Sequence, residues 1–470
     1  MPTTPAQIDL WRVMPSESQH LEFKEAKTSF DNKKLYRYCV ALANEGGGHL
    51  LLGIADKPPR SVVGTQAFND PVVMAAKLFQ AIGFRVEIEA VAHPEGRVVV
   101  FQIPSRPRGT AYHYEGAYLM RSGEELVPMS EDQLRKIFDE GKPDWLSETV
   151  SGSFTDADVV RLLDTQSFFD LLKIPYPTTQ SGVLEKLQSE NLIGRAESSQ
   201  WKICNMGALL LAKDLNEFGL LARRASRVIH YKGKGKLETR LDQTGNKGYA
   251  VGFEGLINFV SGLSPSNELI TDALRTETQM FPKIAIRELI GNALVHQNFD
   301  ETGSSVRIEL FDDRLEISNP GVPLISTDRF IDEYKSRNEA LADLMRRMGI
   351  CEEKSSGIDK VVNAAEIFQL PAPDFRVSAF HTTAVLFGHQ DFEAMDREGR
   401  IRACYQHCCL KWVMNERMTN QSLRERFKLN DKQSETASRI LRETMDVEKI
   451  KLSDPTVTST RYRSYVPFWA

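Results

Sequence analysis

The chain has 470 residues, of which 41% are hydrophobic and 26% are charged, a composition typical of soluble globular proteins with about three domains at this length. The first twelve residues lack the basic and apolar regions of a signal peptide, and no run approaches the roughly 18 apolar residues of a membrane span, so a cytoplasmic location is expected. The net charge of −5 argues against a uniformly basic nucleic-acid-binding protein.

Positive charge is concentrated near the C-terminus. Residues 400–470 contain 14 Lys and Arg against 8 Asp and Glu, which gives this segment a net charge of +6. A phosphate-binding surface must therefore be local, and we expect it first in this segment.

None of the six cysteines belongs to a C-x-x-C pair, so we expect reduced thiols rather than disulfides or a zinc site. Four residues cluster on one predicted amphipathic helix, namely Cys404, His407, Cys408 and Cys409. We interpret the cluster as core packing rather than metal ligation.

The first predicted domain spans residues 1–142. Leu21 and Phe23 alternate with Glu22, which predicts a half-buried strand with Glu22 directed away from its apolar face. A helix is predicted from Lys33 to Ala43.

A glycine run, residues 46–48, follows that helix, and a strand is predicted from His49 to Ala55, ending at Asp56. The glycines supply the positive φ that a sharp helix-to-strand turn needs.

Separated motifs of this domain together resemble the AlbA_2 domain of Schlafen proteins. They are Glu17-Ser-x-x-x-Glu22-Phe-Lys, Ala43-Asn-Glu-Gly-Gly, Leu52-Gly-Ile-Ala-Asp56, Arg106-Pro-x-Gly109 and Gly116-Ala-Tyr118-x-x-Arg121-x-Gly123. The resemblance implies nucleic-acid binding and, in some members, metal-dependent RNA cleavage, carried here by Glu17, Glu22 and Asp56. Clustered carboxylates suit Mg²⁺ or Mn²⁺. The alternative is that these acids at strand ends are only solvated.

Cations and aromatic side chains suited to phosphate contact and base stacking follow in the same domain. Arg106, Arg108 and Arg121 are the predicted nucleic-acid contacts, with His113 and Tyr114 beside them. Scattered surface arginines would give the same pattern.

Residues 143–275 are predicted to be a mixed α/β connecting region. A strand is predicted from Arg223 to Tyr231, and the Gly/Lys alternation of residues 232–236 is interpreted as a solvated hairpin tip.

The next predicted domain spans residues 276–393 and opens with a helix that has Pro282 near its first position. Glu288 and Asn292 are four residues apart and so share one face of this helix. A carboxylate and an amide so placed can polarise a water and hold Mg²⁺ beside a triphosphate. Further on, Ser336-Arg-Asn-Glu339 has the spacing of a capping box, which predicts the start of another helix.

The span from Arg287-Glu-Leu-Ile-Gly-Asn through Ile317-Ser-Asn-Pro-Gly to Ser356-Gly-Ile-Asp359 resembles the RecG-C-terminal-like branch of the GHKL ATPase superfamily. The resemblance implies an α/β sandwich that binds ATP, with Glu288 as the water-activating base and Asn292 as the Mg²⁺ ligand. The other ATP-binding residues it implies are Asn319, Gly321, Ser356 and Gly357. Because GHKL-type domains often pair, a homo-oligomer is also expected.

Two positions depart from the GHKL pattern. The adenine-reading aspartate has no counterpart in Ile317-Ser-Asn-Pro-Gly321, and Ser355 stands where the family has glycine. These departures bear more on ATP turnover than on ATP binding.

Residues 394–470 are predicted to form three helices, the last two in a helix-turn-helix, followed by a hairpin wing. This winged helix would contact duplex DNA through Arg439 and Arg442 on its third helix, with Arg461 and Arg463 beside them. Protein contact is the alternative use of such a domain.

The sequence thus predicts an α+β multidomain nucleic-acid effector with an ATP-binding module. In the sharper form of this hypothesis the protein is a metal-dependent endoribonuclease, tRNA-directed or active against phage. The rival hypothesis is an ATP-responsive, DNA-binding transcription regulator without nuclease activity.

Overall fold

A computed structural model of the chain describes residues 3–13, 20–122, 125–141, 144–196, 200–271, 274–351, 357–457, 459 and 462–470, with side chains except at 122 and in 266–278. The chain divides into two compact units, residues 1–143 and 144–470, which we call the N-terminal unit and the C-terminal unit. Both mix helices with sheets, and within the described ranges no helix has the length and apolar character needed to cross a membrane.

The N-terminal unit is built around a four-stranded sheet in the order β1-β2-β4-β3. β1 and β2 are parallel, and the other neighbouring strands are antiparallel. The elements of this unit are α1 (Pro5–Arg12), β1 (Leu21–Lys24), α2 (Asn32–Asn44), β2 (Gly48–Leu52), α3 (Pro71–Ile82), β3 (Glu87–His93), β4 (Gly96–Ile103), β5 (His113–Tyr114), β6 (Ala117–Ser122), β7 (Glu125–Pro128) and α4 (Glu131–Asp139).

Both faces of this sheet are covered. Leu50 and Leu52 share one cluster with residues of α2 and α3, while Phe23 shares another with α1. Glu22 is the register partner of Leu50 and is 0% exposed. Glu22 thus lies on the opposite face from Phe23 as predicted, but the strand is buried on both faces rather than half-buried, because helices cover that side of the sheet as well.

The glycine turn between α2 and β2 is required by close backbone packing. Gly47 has φ +84°, and a β-carbon there would lie 2.7 Å from the Ser105 backbone nitrogen. At Gly48 a β-carbon would lie 2.3 Å from the His20 carbonyl oxygen. The prediction that these glycines serve the backbone is confirmed.

The C-terminal unit contains the remaining helices and strands. They are α5 (Asp156–Leu162), α6 (Thr165–Leu172), α7 (Gln180–Ser189), β8 (Ile193–Arg195), β9 (Trp201–Ile203), α8 (Asn205–Leu211), β10 (Arg227–Tyr231), β11 (Thr239–Thr244), α9 (Tyr249–Leu263), β12 (Ser266–Thr271), β13 (Leu274–Gln279), α10 (Lys283–Val295), β14 (Arg307–Leu310), β15 (Arg314–Pro320), α11 (Glu339–Arg347), α12 (Gly357–Ile367), β16 (Asp374–Val377), β17 (His381–Phe387), α13 (Arg397–Val413), α14 (Asn420–Arg426), α15 (Ser434–Asp446), β18 (Ile450–Leu452) and β19 (Tyr465–Pro467).

A six-stranded sheet in the order β11-β10-β14-β15-β17-β16 organises this unit. β10 and β14 are parallel, and the other neighbours are antiparallel. Ile308, Ile317 and Leu386 belong to the large core cluster that also contains residues of α9, α10 and α12, and we call their side of the sheet the inner face. β10 and β11, from the predicted connecting region, share this sheet with β14–β17.

Helices α13–α15 and the β18–β19 hairpin form a separate core near the C-terminus. Cys404, Cys408 and Cys409 are buried in it, and burial raises the pKa of Cys404 and of Cys409 to about 12. His407 Nδ1 lies 3.0 Å from Glu366 Oε2. The burial confirms the interpretation of this cluster as core packing.

One predicted cap is wrong. α11 begins at Glu339 with Asn338 rather than Ser336 as its N-cap residue. The Asn338 amide instead donates to the carbonyl oxygens of Val295 and Gln297, at 2.7 and 2.8 Å, and so ties the start of α11 to the end of α10.

Candidate functional site

Glu22 lies at the centre of an ion network in the N-terminal unit. Its carboxylate oxygens are 2.6 Å from Lys24 Nζ and 2.6 Å from Arg121 Nη2. Lys24 Nζ also donates to Asp56 Oδ2 at 3.2 Å, and Asp56 Oδ1 accepts from the Glu25 backbone N–H at 3.0 Å. Lys24 therefore links the two described members of the predicted metal-binding trio.

This network does not fit a divalent ion. Burial lowers the pKa of Lys24, but the hydrogen bond and the charge of Glu22 outweigh that effect and hold this pKa above its ordinary value. A permanent cation therefore uses the carboxylate oxygens that Mg²⁺ or Mn²⁺ would need. In the described part of the chain no group of three or more His, Cys, Asp or Glu is arranged to hold a metal, and Glu17 lies outside that part.

The predicted nucleic-acid contacts of this unit differ in accessibility. Arg106 makes a two-pronged pair with Glu140, at 2.6 and 2.7 Å, and donates to the Asn44 carbonyl oxygen at 3.2 Å. Arg121 is 8% exposed and pairs with Glu22. Arg108 is exposed, so its guanidinium is the most accessible of the three.

A pocket opens in the C-terminal unit on the inner face of the six-stranded sheet, with Glu288 and Asn292 of α10 in its wall. α12 begins at Gly357, where a β-carbon would lie 3.0 Å from Glu288 Oε2 and 3.6 Å from Asn292 Nδ2. The absent side chain lets the start of α12 approach both groups. A helix N-terminus directs free N–H groups towards a bound anion.

Three cations also line this pocket, and the sequence analysis did not single them out: Lys335, Arg337 and Arg346. Arg337 Nη2 donates to the Val322 carbonyl oxygen at 2.9 Å, while its Nε is buried without a hydrogen-bond partner among the described residues. Burial, aided by the Arg337 charge, lowers the pKa of His296 to about 4, so this pocket residue is neutral at pH 7. The three cations within residues 335–346 were the sequence signal for a basic pocket wall. The capping-box spacing of Ser336–Glu339 pointed instead to the start of a helix.

Asn319 lies near the end of β15 and Gly321 directly follows that strand, and the two residues have different surroundings. Asn319 lines the pocket opposite its register partner Thr382, and its amide donates to the Pro320 carbonyl oxygen at 3.1 Å. Gly321 has φ +100°, and a β-carbon there would lie 2.8 Å from Asn298 Cβ. Ser356 lies outside the described residues.

Near the C-terminus, Arg439 and Arg442 are exposed on α15. The Asn420 amide fixes α14 against α15 by donating to the Ser434 carbonyl oxygen at 3.0 Å and to Ser438 Oγ at 2.9 Å. Arg463 is half-buried, and Arg461 lies outside the described residues.

Two family models match separate parts of the chain. Residues 17–130 match "Schlafen, AlbA_2", and residues 303–386 match "Putative ATP-dependent DNA helicase recG C-terminal". The second match begins after α10 and so does not include Glu288 or Asn292.

Two solved structures are similar at low identity. The crystal structure of a protein from Corynebacterium diphtheriae is 15% identical, with 98% of this chain and 96% of that chain covered and a TM-score of 0.44. The N-terminal domain of a RecG-related protein from Nitrosomonas europaea is 17% identical, with 28% of this chain and 94% of that chain covered and a TM-score of 0.21. No curated protein matches the chain.

Proposed function

We propose that this chain, which joins a Schlafen AlbA_2 domain to a RecG C-terminal domain, is an ATP-responsive nucleic-acid-binding protein. In this proposal ATP occupies the pocket of the C-terminal unit and shifts α14 and α15, which contact nucleic acid. The observation that carries the proposal is that the pocket and the C-terminal helices are built on the same two packing elements.

The first shared element is the loop before α11. Phe330 lines the pocket, and the next residue, Ile331, is buried in the core of the C-terminal helices. Two contacts with residues near the C-terminus also hold this loop. Lys449 Nζ lies 2.5 Å from Asp328 Oδ2, and the Tyr405 hydroxyl donates to the Asp328 carbonyl oxygen at 2.5 Å. A ligand that moves Phe330 must therefore disturb the packing around α13.

The second shared element is α12. Its first residue, Gly357, lines the pocket, and its last turn carries Glu366, whose carboxylate lies 3.0 Å from His407 Nδ1 on α13 and 3.4 Å from Arg426 Nε on α14. Both partners are nearly fully buried. Because packed interiors resist compression, a shift at one end of α12 is transmitted to the other.

ATP is the nucleotide that the side chains of the pocket suit. Glu288 would activate a water, Asn292 would hold Mg²⁺, and Arg337 supplies positive charge for the phosphates. Mg²⁺ there would neutralise charge on the triphosphate. A GHKL-like sandwich is the fold we assign to this part. Asn319 lines the same pocket, and its amide carbonyl oxygen can accept a hydrogen bond from an adenine amino group.

The nucleic-acid contact is assigned to a winged helix formed by α13–α15 and β18–β19. Arg439 and Arg442 are exposed along α15, as a recognition helix requires. The net charge of +6 in this segment supports phosphate contact. Regulation of transcription is the role that such a combination serves, and association of copies stays a prediction.

Metal-dependent RNA cleavage is a second candidate. It is favoured by the proximity of Glu22 and Asp56, which Lys24 joins. The same contact opposes it, because Lys24 must be displaced before a divalent ion can use these oxygens.

The two candidates are separated by incubating the full-length protein with labelled tRNA, single-stranded RNA and duplex DNA, with Mg²⁺ or Mn²⁺, and with or without ATP. We expect bound but uncut nucleic acid, with an affinity that depends on ATP. Metal-dependent cleavage that Asp56→Asn abolishes would establish the nuclease instead.

A further inference from the structure

The outer face of the six-stranded sheet, opposite the inner face, carries a continuous row of polar side chains. Register partners on adjacent strands point to the same face, and the neighbours Ile308 and Ile317 point to the inner face. The row crosses all six strands and consists of Thr244, Arg227, Arg307, Ser318, Thr383 and Arg376.

Most of the charges on this face are balanced locally. The acidic residues of the adjacent row each have a cation of their own, in the pairs Asp242–Arg227 at 2.7 Å, Glu309–Lys236 at 2.8 Å, Glu316–Arg314 at 2.6 Å and Asp374–Arg376 at 2.8 Å. Arg307, at the centre of the row, has no carboxylate within 4.0 Å among the residues that the structure describes. One guanidinium is thus left unbalanced.

Two neighbouring donors at this point also lack partners. Ser318 is 4% exposed, and its hydroxyl makes no hydrogen bond to the described residues. The same holds for the buried Nε of Arg307. Because directly opposite residues on antiparallel strands have β-carbons roughly 5 Å apart, one oxyanion can accept from both donors.

We propose that Arg307 and Ser318, with the Thr383 hydroxyl beside them, bind a phosphate group on the outer face of this sheet. A guanidinium matches two phosphate oxygens at once, and serine and threonine hydroxyls add single hydrogen bonds. The site lies on the other face from the ATP pocket and is independent of it. The phosphate belongs either to a nucleic-acid backbone, with Arg227 and Arg376 flanking, or to a small phosphorylated ligand.

The test is a calorimetric titration of the full-length protein with inorganic phosphate and, separately, with a ten-nucleotide single-stranded RNA. Arg307→Ala and Ser318→Ala should each weaken phosphate binding at least tenfold. The matched control is Arg240→Ala, which removes an exposed arginine of the same sheet that lies 3.7 Å from Asp312, and its phosphate affinity should stay within twofold of wild type.

Ser318→Ala also guards against a folding artefact. Because the Ser318 hydroxyl has no hydrogen-bond partner among the described residues, its removal should leave Tm unchanged or raise it. A Tm lowered by several degrees would mean that the hydroxyl has a structural partner, and this would overturn the proposal.

The two ligands distinguish the source of the phosphate. Parallel loss of phosphate and RNA affinity in both variants supports a backbone contact, whereas loss of phosphate affinity alone supports a small ligand at the same site. Phosphate affinity that is equal in wild type and Arg307→Ala overturns the proposal. None of these results depends on whether ATP alters binding at α15, so failure here is separate from failure of the proposed function.

Discussion

Lys24 pairs with both the buried Glu22 and the exposed Asp56 in the N-terminal unit. Its ammonium joins Glu22 to Asp56, and Arg121 occupies the other side of the Glu22 carboxylate. The motif spacing identified the acids in the sequence, but it could not reveal this neutralisation. The contact with Arg121 depends on how β6 packs, and spacing within a motif carries no such information.

Replacing Lys24 with methionine should create a divalent-ion response. The change frees Glu22 Oε1 and Asp56 Oδ2 from Lys24 while Arg121 stays on Glu22 Oε2, so Mn²⁺ should raise Tm in the variant and not in wild type. Loss of the ion pair should lower stability by about 1–3 kcal/mol. Thermal denaturation with and without Mn²⁺ measures both effects. Lys27→Met is the control, because Lys27 is 60% exposed and only loosely paired with Glu25; an equal Mn²⁺ response in wild type would contradict the account.

Replacing Gly321 with alanine should lower the free energy of unfolding more than the same change at Gly303. Gly321→Ala combines a positive φ with a contact at 2.8 Å to Asn298 Cβ, whereas Gly303→Ala has φ +80° and nothing within 4 Å. We expect about 1 kcal/mol of destabilisation at Gly303 and about 2–4 kcal/mol at Gly321. Urea denaturation of both variants tests this, and equal losses would show that the contact is relieved without cost.

Asp359 should give the protein a pH dependence. Burial and the nearby Asp332 raise its pKa to about 6. A carboxyl whose pKa is higher in the folded than in the unfolded state favours folding when protonated, so its contribution is lost as pH rises from about 4 to about 6. Asp359→Asn should therefore raise Tm at pH 7 relative to wild type and have little effect at pH 4; a uniform change at both values would argue against it.

At the scale of elements, local signals located helices well. Pro282 immediately precedes α10, and α2 spans Asn32–Asn44 where a helix was predicted from Lys33 to Ala43. The capping box predicted at Ser336 was wrong, because serine and glutamate at capping distance can also lie in a loop. Here that loop supplies Arg337 to the pocket. The pairing of β10 with β14 had no local signature, since it joins strands that are distant in the chain.

The contact between α12 and α13 should carry the effect of ATP. His407→Ala removes one of the two partners of Glu366 and leaves Arg426, so ATP should still bind with an affinity within about threefold of wild type, while its effect on nucleic-acid affinity falls by at least half. Anisotropy titrations of labelled ATP and labelled DNA measure the two quantities. His389→Ala is the control, because His389 is 51% exposed and lies 3.6 Å from Asp391; retention of the full ATP effect in His407→Ala would rule out this route.

At the scale of the whole molecule, the chain divides into two compact units. The N-terminal unit contains the AlbA_2 match, in which Lys24 pairs with Glu22 and Asp56 and Arg121 pairs with Glu22. The C-terminal unit combines the pocket at Glu288 with a basic C-terminal segment. The uneven charge of the sequence indicated only the basic C-terminal segment, because a net charge of −5 conceals a segment of +6. The composition could not indicate that the pocket and that segment share the loop at Phe330 and helix α12.

The most direct test of the central claim is the affinity of the full-length protein for labelled duplex DNA, measured with and without ATP in wild type, Asn292→Ala and Arg439→Ala. The proposed function predicts at least a fivefold effect of ATP on DNA affinity in wild type and no effect in Asn292→Ala. For Arg439→Ala it predicts weaker DNA binding, and the slope of log affinity against log salt concentration should fall by the amount expected for about one lost phosphate contact. A wild-type affinity that is the same with and without ATP would contradict it.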